Sequence, residues 1–174
     1  ADNNLDSLLI SNKINDDHIK NFEKLLVQDN GGRIKPVNTV CSEFLRKVSR
    51  KDNIENQNAS QVVLGMMKNP KLWSNVPMIK ISHEKLKLFL QTDKNRVSFR
   101  TFFTDEGDYI LKDEVQRVNS KAPIDRDKYD KDIITVDERI NICFTIYNGD
   151  IFRFFPLAND QNNTWYTSMY SKSK

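Results

Sequence analysis

The longest periodic segment of the chain, residues 127–148, constrains the fold more than any other feature. Large apolar residues recur there at steps of four, three, four, four and three positions: Tyr129, Ile133, Val136, Ile140, Phe144 and Tyr147. This spacing places them on one face of an amphipathic helix of about six turns. The Asn148-Gly149 pair predicts its end. The segment therefore indicates a domain built mainly from helices.

Shorter apolar patterns predict further helices earlier in the chain. Asn38 or Thr39 is expected to cap a helix whose inward face carries Cys41. Before it, a first helix is expected to be capped by Asn15 or Asp16 and to end near Gln28. One side of that helix, formed by Ile19, Phe22, Leu25 and Leu26, is expected to be buried. Both assignments rest on the three- and four-residue spacing of apolar side chains.

The remaining elements are shorter. Ser60 and Ser82 are predicted to cap a third and a fourth helix, and residues 111–118 form a weaker fifth. Phe99 to Phe103 are expected to fill the core from a short helix or irregular turn. Residues 151–155 alternate like a short β-strand.

The composition fits one globular domain. Of 174 residues, 38% are hydrophobic and 29% charged, which is enough apolar material for a core. We predict a mainly α single domain over 1–174 with one or two short β pieces, and flexible ends at 1–14 and 167–174. No apolar run reaches the 18 residues of a membrane span. Because the chain begins at Ala and ends in SKSK, we expect a fragment of a larger protein.

Few residues suggest reaction chemistry. His18 and His83 are interpreted as solvent-facing side chains rather than haem or metal ligands, since neither has a ligand spacing. Cys41 and Cys143 are interpreted as small buried apolar residues, with a disulfide between them left open. Asp137-Glu138-Arg139 is read as a solvated or salt-bridged helix face. No nucleophile–base set and no metal site is predicted, so we expect a domain that is not an enzyme.

Residues 31–51 are the most basic segment. Six cations stand there against one anion, Glu43, a local net charge of 6 − 1 = +5. The cations either complement helix ends on a solvated face or form a patch for lipid headgroups, haem propionates or an acidic partner. Arg33 and Lys35 are the candidate contacts for an anion or a partner. Nucleic acid is not expected, because the overall charge is only +3 and no aromatic residue interleaves with these cations in the way that a base-stacking platform needs.

The segment LLVQDNGGRIKPVNTV, residues 25–40, combines a predicted helix end, a glycine turn, an extended proline-bearing connection and a helix cap. Gly31-Gly32 is not a nucleotide-binding loop, because no Gly-Lys-Ser/Thr ending follows. The unusual part of the segment consists of Gln28, Asp29, Gly32, Arg33, Lys35 and Pro36.

This segment, followed by SEFLRKVSRKD, resembles a known family. It is similar to the extracytoplasmic region of cytochrome c biogenesis proteins in which ResB-like and CcsA-like parts are fused, the haem-handling synthases of the system II pathway. The similarity continues through QVVLGMM, LWSNVPMIKI, DIITVDERINI and FPLANDQNNTWY. It covers most of residues 22–166.

The resemblance implies a location and a context. We expect a domain on the outer, periplasmic face of the cytoplasmic membrane, within a larger membrane protein. It would support haem delivery or hold apocytochrome c near the haem site, and its partners would be apocytochrome c, the membrane part of the parent protein and an anionic lipid surface. Haem belongs to the parent protein, and none is expected in this chain. A generic protein-interaction module without any link to haem is the alternative.

Overall fold

The fold was determined as a computed structural model that describes residues 2–29 and 31–167. Its α-helices are α1 (Asp2–Ser11), α2 (Asp16–Phe22), α3 (Val37–Ser49), α4 (Ala59–Lys68), α5 (Pro70–Trp73), α6 (Glu84–Phe89), α7 (Lys112–Asn119) and α8 (Lys128–Tyr147). Short 3-10 helices lie at Phe99–Phe102 and Pro123–Asp125. The strands are β1 (Leu26–Gln28), β2 (Ile34–Pro36), β3 (Asn53–Ile54), β4 (Gln57–Asn58), β5 (Ile79–Lys80), β6 (Arg96–Val97), β7 (Arg153–Pro156) and β8 (Trp165–Thr167).

The mainly α prediction is confirmed, and the helices form the core. Helix α8 is the long helix predicted from residues 127–148, and it packs against α3, α4 and α7. The side chains of Ile133, Val136 and Ile140 are buried at this contact, as the periodicity predicts. Phe144 is the exception, with 53% of its surface exposed. Because Cys143 takes the inward position on the last turns, Phe144 is turned toward solvent.

Strands β1, β2, β7 and β8 form an antiparallel sheet in the order β2-β1-β7-β8. The prediction that the first helix continues to Gln28 is therefore wrong: α2 ends at Phe22, and residues 26–28 are a strand. Val27 is buried, whereas Leu25 and Leu26 are about half exposed. Pairing with two neighbouring strands satisfies the backbone hydrogen bonds of this segment. The spacing of apolar residues does not reveal such pairing.

Three predicted helix caps are also wrong. Helix α3 starts directly after Pro36, without a side-chain cap. Asn58, not Ser60, caps α4 in a capping box with Gln61. His83, not Ser82, caps α6: its Nδ1 accepts the backbone N–H of Lys85 at 3.2 Å. In each case a candidate cap residue stood within three positions of the cap observed.

Helix α1 was not predicted from the sequence. It lies within the stretch 1–14 that we expected to be flexible, and its Leu9 is part of the buried core. At the other end, the predicted flexible segment beyond Thr167 lies outside the described residues. Residues 157–164 connect β7 to β8.

Candidate functional site

The family-like segment folds into a β-hairpin, β1–β2, that leads directly into α3. Leu26 pairs with Pro36, Val27 with Lys35, and Gln28 with Ile34. The connection closes through the backbone N–H of Asp29, which donates to the Arg33 carbonyl at 2.8 Å. Gly32 has a φ of 80°, a left-handed conformation that strains residues with a side chain. The glycine turn predicted here is therefore a hairpin turn and not a helix end.

The Asp29 carboxylate organises the turn. Its Oδ1 accepts the backbone N–H groups of Gly31 and Arg33 at 2.8 and 2.9 Å. Its Oδ2 lies 3.2 Å from Arg33 Nε and 3.1 Å from Lys35 Nζ. The hydrogen bond from the Arg33 backbone, supported by those from Lys35 and Gly31, lowers the pKa of Asp29 to about 2. Asp29 is thus ionised in the folded protein and holds both candidate cations.

Lys35 is held between two carboxylates. Besides Asp29, its Nζ donates to both oxygens of Glu43 on α3, at 2.9 and 3.0 Å. The hydrogen bonds to Glu43 and then to Asp29 raise the pKa of Lys35 above its ordinary value. Because it contacts both carboxylates, Lys35 links the hairpin to α3. All three protons of its ammonium group are then donated within the fold. Its predicted contact with an external anion stays a prediction that no observation tests.

Gln28 joins the hairpin to the end of the sheet. Its buried side chain donates from Nε2 to the carbonyls of Gly32 and Asn163, at 3.2 and 2.8 Å. Its Oε1 accepts the backbone N–H of Trp165 at 3.0 Å. Gln28, Asp29 and Lys35 thus connect the hairpin to α3 and to β8.

A groove of about 600 Å³ lies between this hairpin, α3, α8 and the β7–β8 end of the sheet. Its apolar wall includes Val27, Phe44 and Ile142. Its charged wall carries three acids and three bases: Asp29, Glu43, Asp150, Arg33, Lys35 and Arg153. The groove therefore combines apolar surface with charges of both signs and has no net charge.

Arg33 and Arg153 are the cations of this groove with free donors. Arg33 is 75% exposed, and only its Nε is engaged by Asp29. In residues 2–29 and 31–167, no ion pair or side-chain hydrogen bond engages Arg153, which lies opposite Gln28 in the sheet. Sequence reasoning identified Arg33 and noted Glu43 as the anion of its segment. It missed Arg153 and Asp150, because the sheet and the end of α8 bring them from a distant part of the chain.

The two histidines lie in separate pockets. His83 uses Nδ1 to cap α6, and its ring packs against Tyr129 with centroids 5.2 Å apart. His18 lines a different shallow pocket, beside Ile14 and Leu64, which shares no lining residue with the pocket at His83. An iron between two histidines therefore does not fit this chain. In the part of the chain that the structure describes, no three His, Cys, Asp or Glu residues gather as metal ligands.

Cys41 and Cys143 are buried free thiols, as the apolar interpretation predicted. Burial raises the pKa of each thiol to about 12. Neither is therefore a thiolate at neutral pH, and a nucleophilic role is not supported.

No helix in the described ranges 2–29 and 31–167 is at once long and apolar enough to cross a lipid bilayer.

No protein-family model matches the chain. The chain is similar to protein NrfI of Wolinella succinogenes, with 38% identity over 147 residues. The match covers 84% of this chain but 16% of NrfI, so the chain spans about one sixth of the length of that relative. This match supports the resemblance to cytochrome c maturation proteins, because NrfI is one of them.

The prediction that the chain is not an enzyme is wrong in light of this relative. NrfI is a haem lyase, a catalytic protein, so a segment similar to it cannot be classed as non-catalytic. Our criterion, a nucleophile and a base within the chain, fails when reactive groups come from other segments of a longer protein. Over most of its length, the chain is similar to a segment of a cytochrome c maturation protein.

Proposed function

We propose that this chain is an extracytoplasmic domain of a membrane-bound haem-attachment protein of the ResB/CcsA fusion type, and that it positions apocytochrome c for haem attachment. The similarity to NrfI over 84% of the chain is the observation that carries the proposal. The groove beside the β1–β2 hairpin is the surface that we assign to the apocytochrome chain.

The groove suits an extended polypeptide. A polypeptide offers backbone carbonyls, carboxylates and apolar side chains, and the groove offers free guanidinium donors on Arg33 and Arg153 beside the apolar Phe44. Asp29, Lys35 and Gln28 hold the hairpin in place through hydrogen bonds already made, so the wall does not have to be ordered on binding.

Haem supplies the reacting group in the parent protein, and the proposal assigns it no ligand in this chain. The two histidines line separate pockets, and His83 Nδ1 already accepts a backbone hydrogen bond. The role that we assign to this chain is therefore to bind and orient the polypeptide in the groove. We expect a haem titration of the chain to give the same Soret band after His18→Ala and His83→Ala replacement, and a band lost with either would contradict this division of roles.

The test uses the full-length parent protein in its own cell. Arg33→Glu with Arg153→Glu reverses both free cations of the groove, and we expect covalent haem in the cytochrome c product to fall about tenfold. Lys71→Glu with Lys112→Glu is the matched control, since it makes the same change of charge at exposed sites outside the groove. Immunoblots of the parent protein exclude a loss of expression.

Unchanged haem attachment in the Arg33/Arg153 variant would overturn the assignment of the groove. Unchanged haem attachment after deletion of the whole domain would overturn the proposed function and favour a generic interaction module. Binding of the chain to unfolded apocytochrome c, followed by fluorescence anisotropy, separates these outcomes, because the groove variant should bind more weakly and the control should not.

A further inference from the structure

A second group of cations lies at the C-terminal end of α3, outside the groove. This cluster, which we call the α3-end cluster, brings together residues from four elements: Arg50 after α3, Lys80 in β5, Arg96 in β6 and Arg139 in α8. None of the four lines the groove. Nothing in the proposed positioning of apocytochrome c involves them.

Main-chain carbonyls hold the two inner arginines. Arg96 donates from Nε and Nη2 to the Ser49 carbonyl at 3.0 and 2.9 Å. Arg139 donates from Nε to the Lys47 carbonyl at 3.0 Å and from Nη1 to the Lys80 carbonyl. Arg139 is 4% exposed, so the sequence interpretation of its helix face as solvated or salt-bridged is wrong for this residue. A buried guanidinium here contacts carbonyls instead of a carboxylate.

The nearby carboxylates do not balance the cluster. Glu138 pairs with Lys47 at 3.1 Å, and Glu84 pairs with Lys87 at 2.8 Å. Asp132 is the remaining acid that acts on Lys80 and Arg139, and its Oδ2 accepts the backbone N–H of His83. The end of α3 adds about half a negative charge. Four cations therefore face Asp132, a helix end and Glu138, whose carboxylate is shared with Lys47.

Two of the four cations directly oppose each other. Lys80 and Arg96 are partners in the antiparallel β5–β6 pair, a position where like charges are unfavourable. Burial, followed by the charges of Arg96, Lys87 and Arg139, lowers the pKa of Lys80. Burial and then Arg50 lower the pKa of Arg139. The fold thus brings positive charges together without supplying the anions that would offset them.

We propose that the α3-end cluster binds a phosphate group, carried by a lipid headgroup or by a soluble phosphate compound. Within the described residues, no hydrogen bond or ion pair occupies the side chains of Lys80 and Arg50, so their donors are free. The carbonyl contacts hold the arginine planes of Arg96 and Arg139 in place. Arg139 is almost fully buried and adds positive charge to the cluster, whereas the free donors of Lys80 and Arg50 can contact a phosphate, whose charge offsets the excess.

The first test is calorimetric titration of the chain with pyrophosphate at low ionic strength, where screening is weak. We expect binding that falls at least tenfold in Lys80→Gln with Arg50→Gln, because two charge-assisted contacts are lost. The control, Lys71→Gln with Lys112→Gln, removes the same charge elsewhere and should bind as the original chain does. Arg96 and Arg139 are left unchanged, because their replacement would also remove hydrogen bonds that hold the fold.

The source of the phosphate follows from vesicle flotation with phosphatidylglycerol and, in parallel, phosphatidylcholine. Co-flotation with phosphatidylglycerol alone, lost in the Lys80/Arg50 variant but not in the control, assigns a lipid headgroup. Pyrophosphate binding without flotation assigns a soluble phosphate compound. Equal binding by the original chain, the variant and the control would overturn the site, and so would the absence of binding to both probes.

Discussion

The cations of the β1–β2 hairpin and those of the α3-end cluster have different kinds of partners. At the hairpin, Lys35 lies between the carboxylates of Asp29 and Glu43. At the α3 end, Arg96 and Arg139 reach carbonyls, and Arg50 has no ion-pair partner in the part of the chain that is described. A local charge of +5 therefore says little by itself. The partners determine whether a cation fixes the fold or stays free for a ligand.

The largest expected loss of stability follows from removing the side chain that joins the hairpin to the end of the sheet. Gln28→Ala removes three partly buried hydrogen bonds and leaves the backbone N–H of Trp165 and the Asn163 carbonyl without these partners. We expect the free energy of unfolding to fall by about 2–3 kcal/mol in urea denaturation. The exposed Gln116→Ala on α7 is the control and should change it by less than about 0.5 kcal/mol. Equal effects would mean that Gln28 does not anchor the hairpin.

The next effect tests whether geometry or charge holds the α3 end. Arg139→Lys keeps the charge but cannot reproduce the two-donor contact with the Lys47 and Lys80 carbonyls. We expect a loss of about 1–2 kcal/mol in the free energy of unfolding, again in urea. Full stability in this variant would show that charge alone is sufficient at this position.

The dependence of stability on pH in the acid range reports the contribution of the Asp29 carboxylate in the hairpin. The pKa of Asp29 is about 2 in the fold against an ordinary 3.8, so its contribution is complete above pH 3.8 and is lost as the pH falls through about 2. We expect Asp29→Asn to be less stable than the original chain above pH 4, with the difference shrinking between about pH 4 and pH 2. The stability of both chains against pH gives this difference directly. A gap that stays constant down to pH 2 would contradict the assignment.

The smallest expected effect is a change in stability that has opposite signs for lysine replacements in the two regions. Lys35→Gln removes the ammonium group shared by Asp29 and Glu43, so the protein should become less stable. Lys80→Gln removes a like charge opposite Arg96, so at low salt the protein should become more stable by about 0.5 kcal/mol. Thermal unfolding with and without 1 M salt measures both, and the gain at Lys80 should vanish as salt screens the repulsion. Changes of the same sign would remove the contrast.

Sequence reasoning predicted the features that depend on neighbouring residues and missed those that depend on residues distant in the chain. The periodicity of residues 127–148 predicted α8, because an amphipathic helix is a local pattern with one buried face. The strand at residues 26–28 was missed, because its partners are residues 34–36 and Arg153. Arg33 was selected by local charge, whereas Arg153 and Arg139 were missed as cations of interest, because their surroundings come from distant segments.

The sequence by itself determined the helical character of the domain, the glycine turn, the long core helix and the resemblance to cytochrome c maturation proteins. Those features are encoded by neighbouring residues or by the order of residues in a segment. The tertiary structure decided which cations are paired, because ion pairs such as Lys35 with Glu43 and contacts such as Arg139 with the Lys47 carbonyl depend on how elements pack. Composition counts charges, but only packing sets the distances between them.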